Sequence, residues 1–353
     1  MKPPINAQKK FQETLENYGG ETAKKSIKIL LEDPSLTKLK HYTEFISKTW
    51  RDPFVPALMS LSCQAVNGDP KDTEEVAIAL SLMNLSFRIW DDIIDKTYNI
   101  RFKTTFVGKF GEANALIVGG VISAKAFTIL NEVNLDTQKK QKINELIWTY
   151  WAKMAEAETT DLSTGREIYR AKDKLKKIKD ETISIKTCLK IGAIIGNGST
   201  KEINGIEEFG ECLGILLELV NDVKVSLNFT LELDRKITIG NLTYFMLKEK
   251  ETSEYMKKEL EFLKKRQIIE PQEIGLIVDM LLKSKSLVQI KDYVKSLNKK
   301  GQKALKCLRV VDSGERLSFL IEQQMKAFNE FFYMSPGHFC GLRDNTMDTT
   351  DPM

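Results

Sequence analysis

A chain of 353 residues, 42% of them hydrophobic and 29% charged, can bury one large core or two ordinary ones, and it departs from collagen-like, disordered and disulfide-scaffold compositions. Fifty-three Lys plus Arg against 49 Asp plus Glu leave +4, too small an excess to mark a nucleic-acid partner. Five scattered cysteines (Cys63, Cys188, Cys212, Cys307, Cys340) without a CxxC pair, joined by only two histidines, argue against zinc and read as reduced thiols in a cytoplasmic protein.

The first twenty residues lack the apolar stretch of a signal peptide. No proline occurs between Pro70 and Pro271, and apolar residues recur at helical spacing, as in Ile78, Leu82, Leu85, Ile89 and Ile93, or Ile206, Phe209, Leu213, Leu216, Leu217 and Val220. No segment alternates with period two, so the chain reads as all-α. Helix boundaries are expected at Asp33-Pro34-Ser35, Asp52-Pro53, Asn67 to Pro70, Asn134 to Thr137, Gly196 to Thr200, Glu270-Pro271 and Asp312 to Gly314, giving about a dozen helices. A helix ending before Asn67 and one beginning near Thr73 are expected to pack antiparallel across their short loop. The longest apolar run, Ala113 to Leu130, contains Asn114, Lys125 and the Gly119-Gly120 pair, so it is expected to fall short of a stable membrane insertion. The lysine-dense stretch from Ala171 to Lys179 reads first as a solvated helix face. A single helical domain is expected over residues 1–333, with residues 334–353 forming a disordered tail.

Chemistry concentrates in Ser86-Phe87-Arg88-Ile89-Trp90-Asp91-Asp92-Ile93-Ile94-Asp95. On a helix Asp91 and Asp95 share a face and Asp92 lies beside them, a repulsive set that Arg88 offsets only in part. Two readings follow, a solvated acidic face or a site for a hard divalent cation that bridges carboxylates to substrate phosphate oxygens. The apolar helix beneath, with Phe87 and Met83 on the same stripe as Asp91, favours the second and suits a ligand with a phosphate head and a hydrocarbon tail.

These residues resemble the first aspartate-rich motif of the trans-isoprenyl diphosphate synthases, the polyprenyl synthetase family. The likeness continues through Arg101 to Thr105, Phe110-Gly111-Glu112-Ala113-Asn114-Ala115, Gly192 to Ile195, Phe209-Gly210, Leu213-Gly214, Asn221-Asp222 and Lys236 to Ile239, over roughly residues 45–250. The resemblance implies an isoprenoid synthase (terpenoid synthase) fold, an all-α helical bundle around a central apolar cavity. It further implies two or three Mg²⁺ ions held by Asp91, Asp92 and Asp95, with Asn221 and Asp222 as weaker ligands. Arg101, Lys236 and Lys179 would touch diphosphate, with Lys176 as an alternative register for the last. Glu158 and Asp161 would face the pocket, and Phe87 and Ser86 would form its floor, limiting the substrate to C10 to C20. The family habit of pairing through two helices implies a homodimer.

Two departures bear on activity. Where elongating members carry GGKRxRP for isopentenyl diphosphate, this chain reads Ile46 to Pro56, and alignment by Pro56 puts Asp52, Pro53 and Val55 at the basic positions, with Lys48 and Arg51 nearby as substitutes. The second aspartate-rich motif is reduced to Asn221-Asp222-Val223-Lys224-Val225, where a helix-capping or buried polar pair is an equal reading. The leading expectation is therefore a terpene synthase that ionises an allylic prenyl diphosphate. The runner-up is a short-chain polyprenyl diphosphate synthase that condenses it with isopentenyl diphosphate, and the third is a non-catalytic subunit of a heteromeric synthase.

Overall fold

The computed structural model describes residues 5–100, 103–163, 170–227, 237, 242–266 and 269–330. Arg101, Lys236 and the 334–353 tail lie outside them. Among the described residues the chain forms fifteen α-helices, three short 3₁₀ turns and one antiparallel ladder of two residues per strand, β1 (Asn99–Ile100) and β2 (Lys103–Thr104). The all-α expectation holds, and the extra helices arise because boundaries such as Thr182 and Ser253, which no proline marks, break runs that periodicity alone joins.

The helices are α1 (Ile5–Glu32), α2 (Lys40–Thr49), α3 (Phe54–Ala65), α4 (Glu74–Ile94), α5 (Phe106–Phe110), α6 (Glu112–Glu132), α7 (Thr137–Ser163), α8 (Ala171–Glu181) and α9 (Ile183–Ile195). They continue as α10 (Thr200–Leu227), α11 (Tyr244–Thr252), α12 (Glu254–Leu263), α13 (Pro271–Leu282), α14 (Lys285–Ala304) and α15 (Val311–Glu330). Their ends follow local chemistry. Asp33 accepts from Ser35 N–H (2.8 Å) and Asp69 from Lys71 N–H (2.9 Å), each before a proline, while Glu270 and Glu273 form a reciprocal capping box ahead of α13.

The chain divides into two compact units. The first comprises Gln12–Ile143 and Cys188–Thr200. Its centre is α3, hydrophobic on all sides and buried along almost its whole length, flanked by Leu82 and Met83 of α4 and by Leu189 and Ile191 of α9, all fully buried. Glycine permits the tightest approach. A Cβ on Gly192 would stand 2.1 Å from Ser62 Oγ and 2.3 Å from the Met59 carbonyl, so α9 lies backbone to backbone on α3. Helix α6 runs along α4, with Gly119 admitting the Trp90 indole, whose Nε1 a Cβ there would meet at 2.5 Å. By length and composition α6 is apolar enough to cross a membrane, contrary to expectation, because Asn114 and Lys125 are too few to lower its hydropathy. Within its most apolar window 39% is buried inside the protein. It is the one such helix among the described residues.

The second unit comprises Asn144–Thr187 and the chain from Lys201, together with the residues before Gln12. Phe209, Leu213 and Leu216 of α10, Phe245 and Met246 of α11, Val294 of α14 and Leu317, Leu320 and Phe328 of α15 are buried at its core. Glu202, 2% exposed, is held there by Arg309, whose Nε donates at 2.8 Å. The thiols behave as core groups in both units: burial pushes Cys63 and Cys188 up to about 12 and Cys212 up to about 11.

Candidate active site

The first motif occupies the last turn of α4. Asp95 is the helix cap, and its N–H donates to the Asp91 carbonyl at 2.8 Å. Lys96 then takes φ 52°, and Thr97 N–H returns to the Asp92 carbonyl at 2.9 Å, which closes the helix end. The helix delivers the three carboxylates to different surroundings: Asp91 is exposed, Asp95 is half-buried and Asp92 turns inward with 8% exposure. Among the described residues they do not converge into a set of three that could hold a metal ion as they stand.

Asp92 is the distinctive member. Its carboxylate accepts no hydrogen bond among the described residues, and burial pushes its pKa up to about 6. Arg88 pulls the other way, and Asp91 and Asp95 add to the rise. An inward carboxylate with no donor among the described residues, flanked by two more within one helical turn, is the donor chemistry that a hard cation satisfies, so the residues fit Mg²⁺. Beneath them Phe87 is half-buried and edge-to-face with Trp90 (6.1 Å, 83°), while Ser86 is fully buried and spends its hydroxyl on the Leu82 carbonyl (3.1 Å).

Arg88 has a second acidic neighbour that motif reading missed. Asp52 receives Phe54 N–H at 2.9 Å, burial raises its pKa, and Phe54 N–H and Arg88 both counter that rise. The signal was in the chain, since Asp52 is an acid at an expected basic position. Of the other members of that stretch, Pro53 and Val55 are buried, Arg51 is paired with Glu16, and Lys48 is exposed.

The Phe110-Gly111 pair proves architectural. Phe110 meets the rings of Tyr42 (4.8 Å) and Phe45 (5.2 Å), and Gly111 takes φ +81° to turn the chain into α6.

In the second unit, Asn221 is exposed near the end of α10 and Asp222 is buried at 8% exposure. One Asp222 oxygen accepts the N–H of Tyr244 at the start of α11. Beside it the Ser226 hydroxyl contacts that of Thr243 at 2.6 Å, and Thr243 caps α11 by accepting from Met246 N–H at 3.2 Å. The capping reading of Asp222 thus has a defined partner. Sequence reading missed Thr243 and Tyr244, although a threonine ahead of Tyr244-Phe245-Met246-Leu247 is a cap signal. Lys179 is exposed in the last turn of α8, Lys176 is exposed one turn before it, and Glu158 is half-buried on α7. Asp161 lies in the backbone of α7, its side chain outside the described residues. In the first unit a polar cleft of about 720 Å³ opens at the start of α4. Its wall engages its own lysines, Lys25 in an ion pair with Glu74 (2.7 Å) and Lys139 donating to the Ile195 carbonyl (3.1 Å).

The architecture is that of the all-α isoprenoid synthase fold. The geranylgeranyl pyrophosphate synthetase of Pyrococcus horikoshii superposes with a TM-score of 0.76 at 21% identity, over 90% of this chain and 99% of that one. A polyprenyl synthase of Caulobacter crescentus, solved with calcium and isoprenyl diphosphate, gives 0.74 at 16% identity, over 89% of this chain and 97% of that one. Residues 36–300 match the polyprenyl synthetase family model, and the chain belongs to that family. Among its relatives, the geranylfarnesyl diphosphate synthase of Methanosarcina mazei is 25% identical over 75% of this chain and 87% of its own length. The short chain isoprenyl diphosphate synthase of Methanothermobacter thermautotrophicus is 29% identical, the match covering 47% of this chain and about half, 52%, of that protein. These relatives are diphosphate synthases, which reverses the expected order: the comparisons favour the runner-up over the terpene synthase reading.

Proposed function

We propose that this protein is a prenyl diphosphate synthase that joins an allylic prenyl diphosphate to isopentenyl diphosphate, residues 1–333 acting as one domain. The observation that supports it is the inward carboxylate of Asp92, between Asp91 and Asp95 and with no donor among the described residues, in a chain of the polyprenyl synthetase family. Asp91, Asp92 and Asp95 would hold Mg²⁺, and Asn221 with the second oxygen of Asp222 would be weaker ligands. When bound, Mg²⁺ supplies the positive charge that lets diphosphate leave the allylic carbon. Arg101, Lys179 and Lys236 bind that diphosphate, Phe87 and Ser86 bound the hydrocarbon pocket, and Glu158 faces it. Lys48, exposed and beside the altered stretch, serves the second diphosphate, since Arg51 is already engaged by Glu16.

The family's pairing habit has a candidate surface on α6. Leu116 (62% exposed), Ile117 (60%) and Phe127 (44%) form an outward apolar stripe with Gly120 and Ala124, and a homodimer would cover it.

Incubation with Mg²⁺ and geranyl, farnesyl or geranylgeranyl diphosphate, each with and without isopentenyl diphosphate, tests the function. Longer diphosphates that form only when isopentenyl diphosphate is present are the expected result. Volatile hydrocarbon formed without it would restore the terpene synthase reading. No turnover of any pair, with Asp91→Ala indistinguishable, would leave the non-catalytic subunit.

A further inference from the structure

The modest charge of the chain conceals an uneven distribution. Residues 285–309 hold eight Lys and Arg against one Asp, a net +7, while the remaining residues hold 45 basic and 48 acidic side chains, a net −3. Most of this stretch is α14, a helix of 20 residues and about 30 Å. Its inner face (Ser286, Leu287, Ile290, Val294, Leu297, Gly301) is buried in the second unit and fixes its orientation. Five lysines, Lys285, Lys295, Lys299, Lys300 and Lys303, fall within about 140° of arc on the outer face. Lys306 continues the row one turn further on, and all six are exposed. The face is only partly neutralised: Lys295 lies 3.6 Å from Asp292 and Lys300 3.5 Å from Glu208. Lys285, Lys299, Lys303 and Lys306 have no ion pair among the described residues, and Val288 stands among them 60% exposed.

We infer that the outer face of α14 docks this protein peripherally on an anionic lipid surface. A linear row of exposed lysines matches a plane of diffuse negative charge. Along α14 the outer face carries no arginine and no exposed aromatic ring, the groups that grip nucleic acid. Because the apolar side of the helix is buried in the protein, attachment is electrostatic and reversible rather than inserted. Adsorption is worth about 1 kcal/mol per lysine near such a surface, about fivefold in affinity for each. This inference is independent of the reaction proposed above.

The experiment is co-sedimentation of the full chain with phosphatidylcholine vesicles, with and without about 30% phosphatidylserine, at about 0.1 M and 0.5 M salt. The expected result is binding to the anionic vesicles alone, lost at the higher salt, and weakened at least tenfold in the fourfold variant K285E, K295E, K299E, K303E with an unchanged unfolding midpoint. A control with the same change of charge on Lys28, Lys38, Lys71 and Lys142, all exposed in the first unit, is expected to keep most of the binding. Equal loss in both variants would overturn the inference in favour of net charge alone. Absence of vesicle binding would overturn it outright, as would retention of a single-stranded RNA oligomer in place of vesicles.

Discussion

Asp92 and Asp222 invite comparison because each sits near the C-terminal end of a long helix with the same 8% exposure, yet their chemistry differs. Asp222 accepts the Tyr244 N–H beside a Ser226–Thr243 hydroxyl pair, so its charge is already used to seat α11. Asp92 has no donor among the described residues and a pKa raised to about 6 by burial. Equal burial therefore has opposite meanings. A buried carboxylate with a backbone donor is structural first, whereas one without waits for a cation.

The sharpest way to break this contrast is Asp91→Ala, which removes an exposed member of the first motif and leaves the interior intact. At least a hundredfold loss of turnover is expected, with an unchanged unfolding midpoint; near-normal turnover would show that the first motif holds no metal.

Asp92→Asn comes next, read as stability of the metal-free protein. The folded carboxyl is raised from 3.8 to about 6, so the native state keeps a proton that the unfolded chain has lost. Its stabilising contribution is complete below pH 3.8, falls as pH rises and is gone above about 6, so the charged native form is penalised at pH 7. Removing the charge is expected to stabilise the protein at pH 7 by up to about 3 kcal/mol, less wherever solvent or Arg88 screens it, while abolishing turnover. Denaturant unfolding at pH 5 and pH 8 measures it, and a loss of stability at pH 8 would mean that Asp92 has a donor after all.

Asp222 calls for a pair of variants. Asp222→Ala orphans a buried N–H and is expected to cost about 1–3 kcal/mol, whereas Asp222→Asn keeps an acceptor and most of the stability. A stable Asp222→Asn that loses turnover would assign the second oxygen to metal, and full turnover would leave it as a cap alone. The smallest effect is expected for Thr243→Ala, about 1 kcal/mol from the lost cap of α11 in thermal unfolding, with turnover retained.

How much of this was legible depends on distance along the chain. The boundaries at Asp33, Asp69 and Glu270 could be read because each cap is completed within two or three residues. The same holds for the aspartate cluster, whose spacing is a property of one turn. The Asp222–Tyr244 bond spans 22 residues, and the influence of Arg88 on Asp52 joins α4 to the connection ahead of α3, so no local pattern announces them. The eroded basic stretch was visible as composition, but only packing showed that Val55 is buried and Arg51 engaged.

Taken alone, the sequence determined the helical class, the main helix ends and the candidate carboxylates, because helix periodicity and capping are decided by neighbours within about four residues. Tertiary structure decided which carboxylate lacks a donor among the described residues, which is spent on a neighbouring helix, and which side of α14 turns its lysines outward. These depend on burial and on partners far away in sequence, where desolvation, rather than residue type, sets what a charge can do.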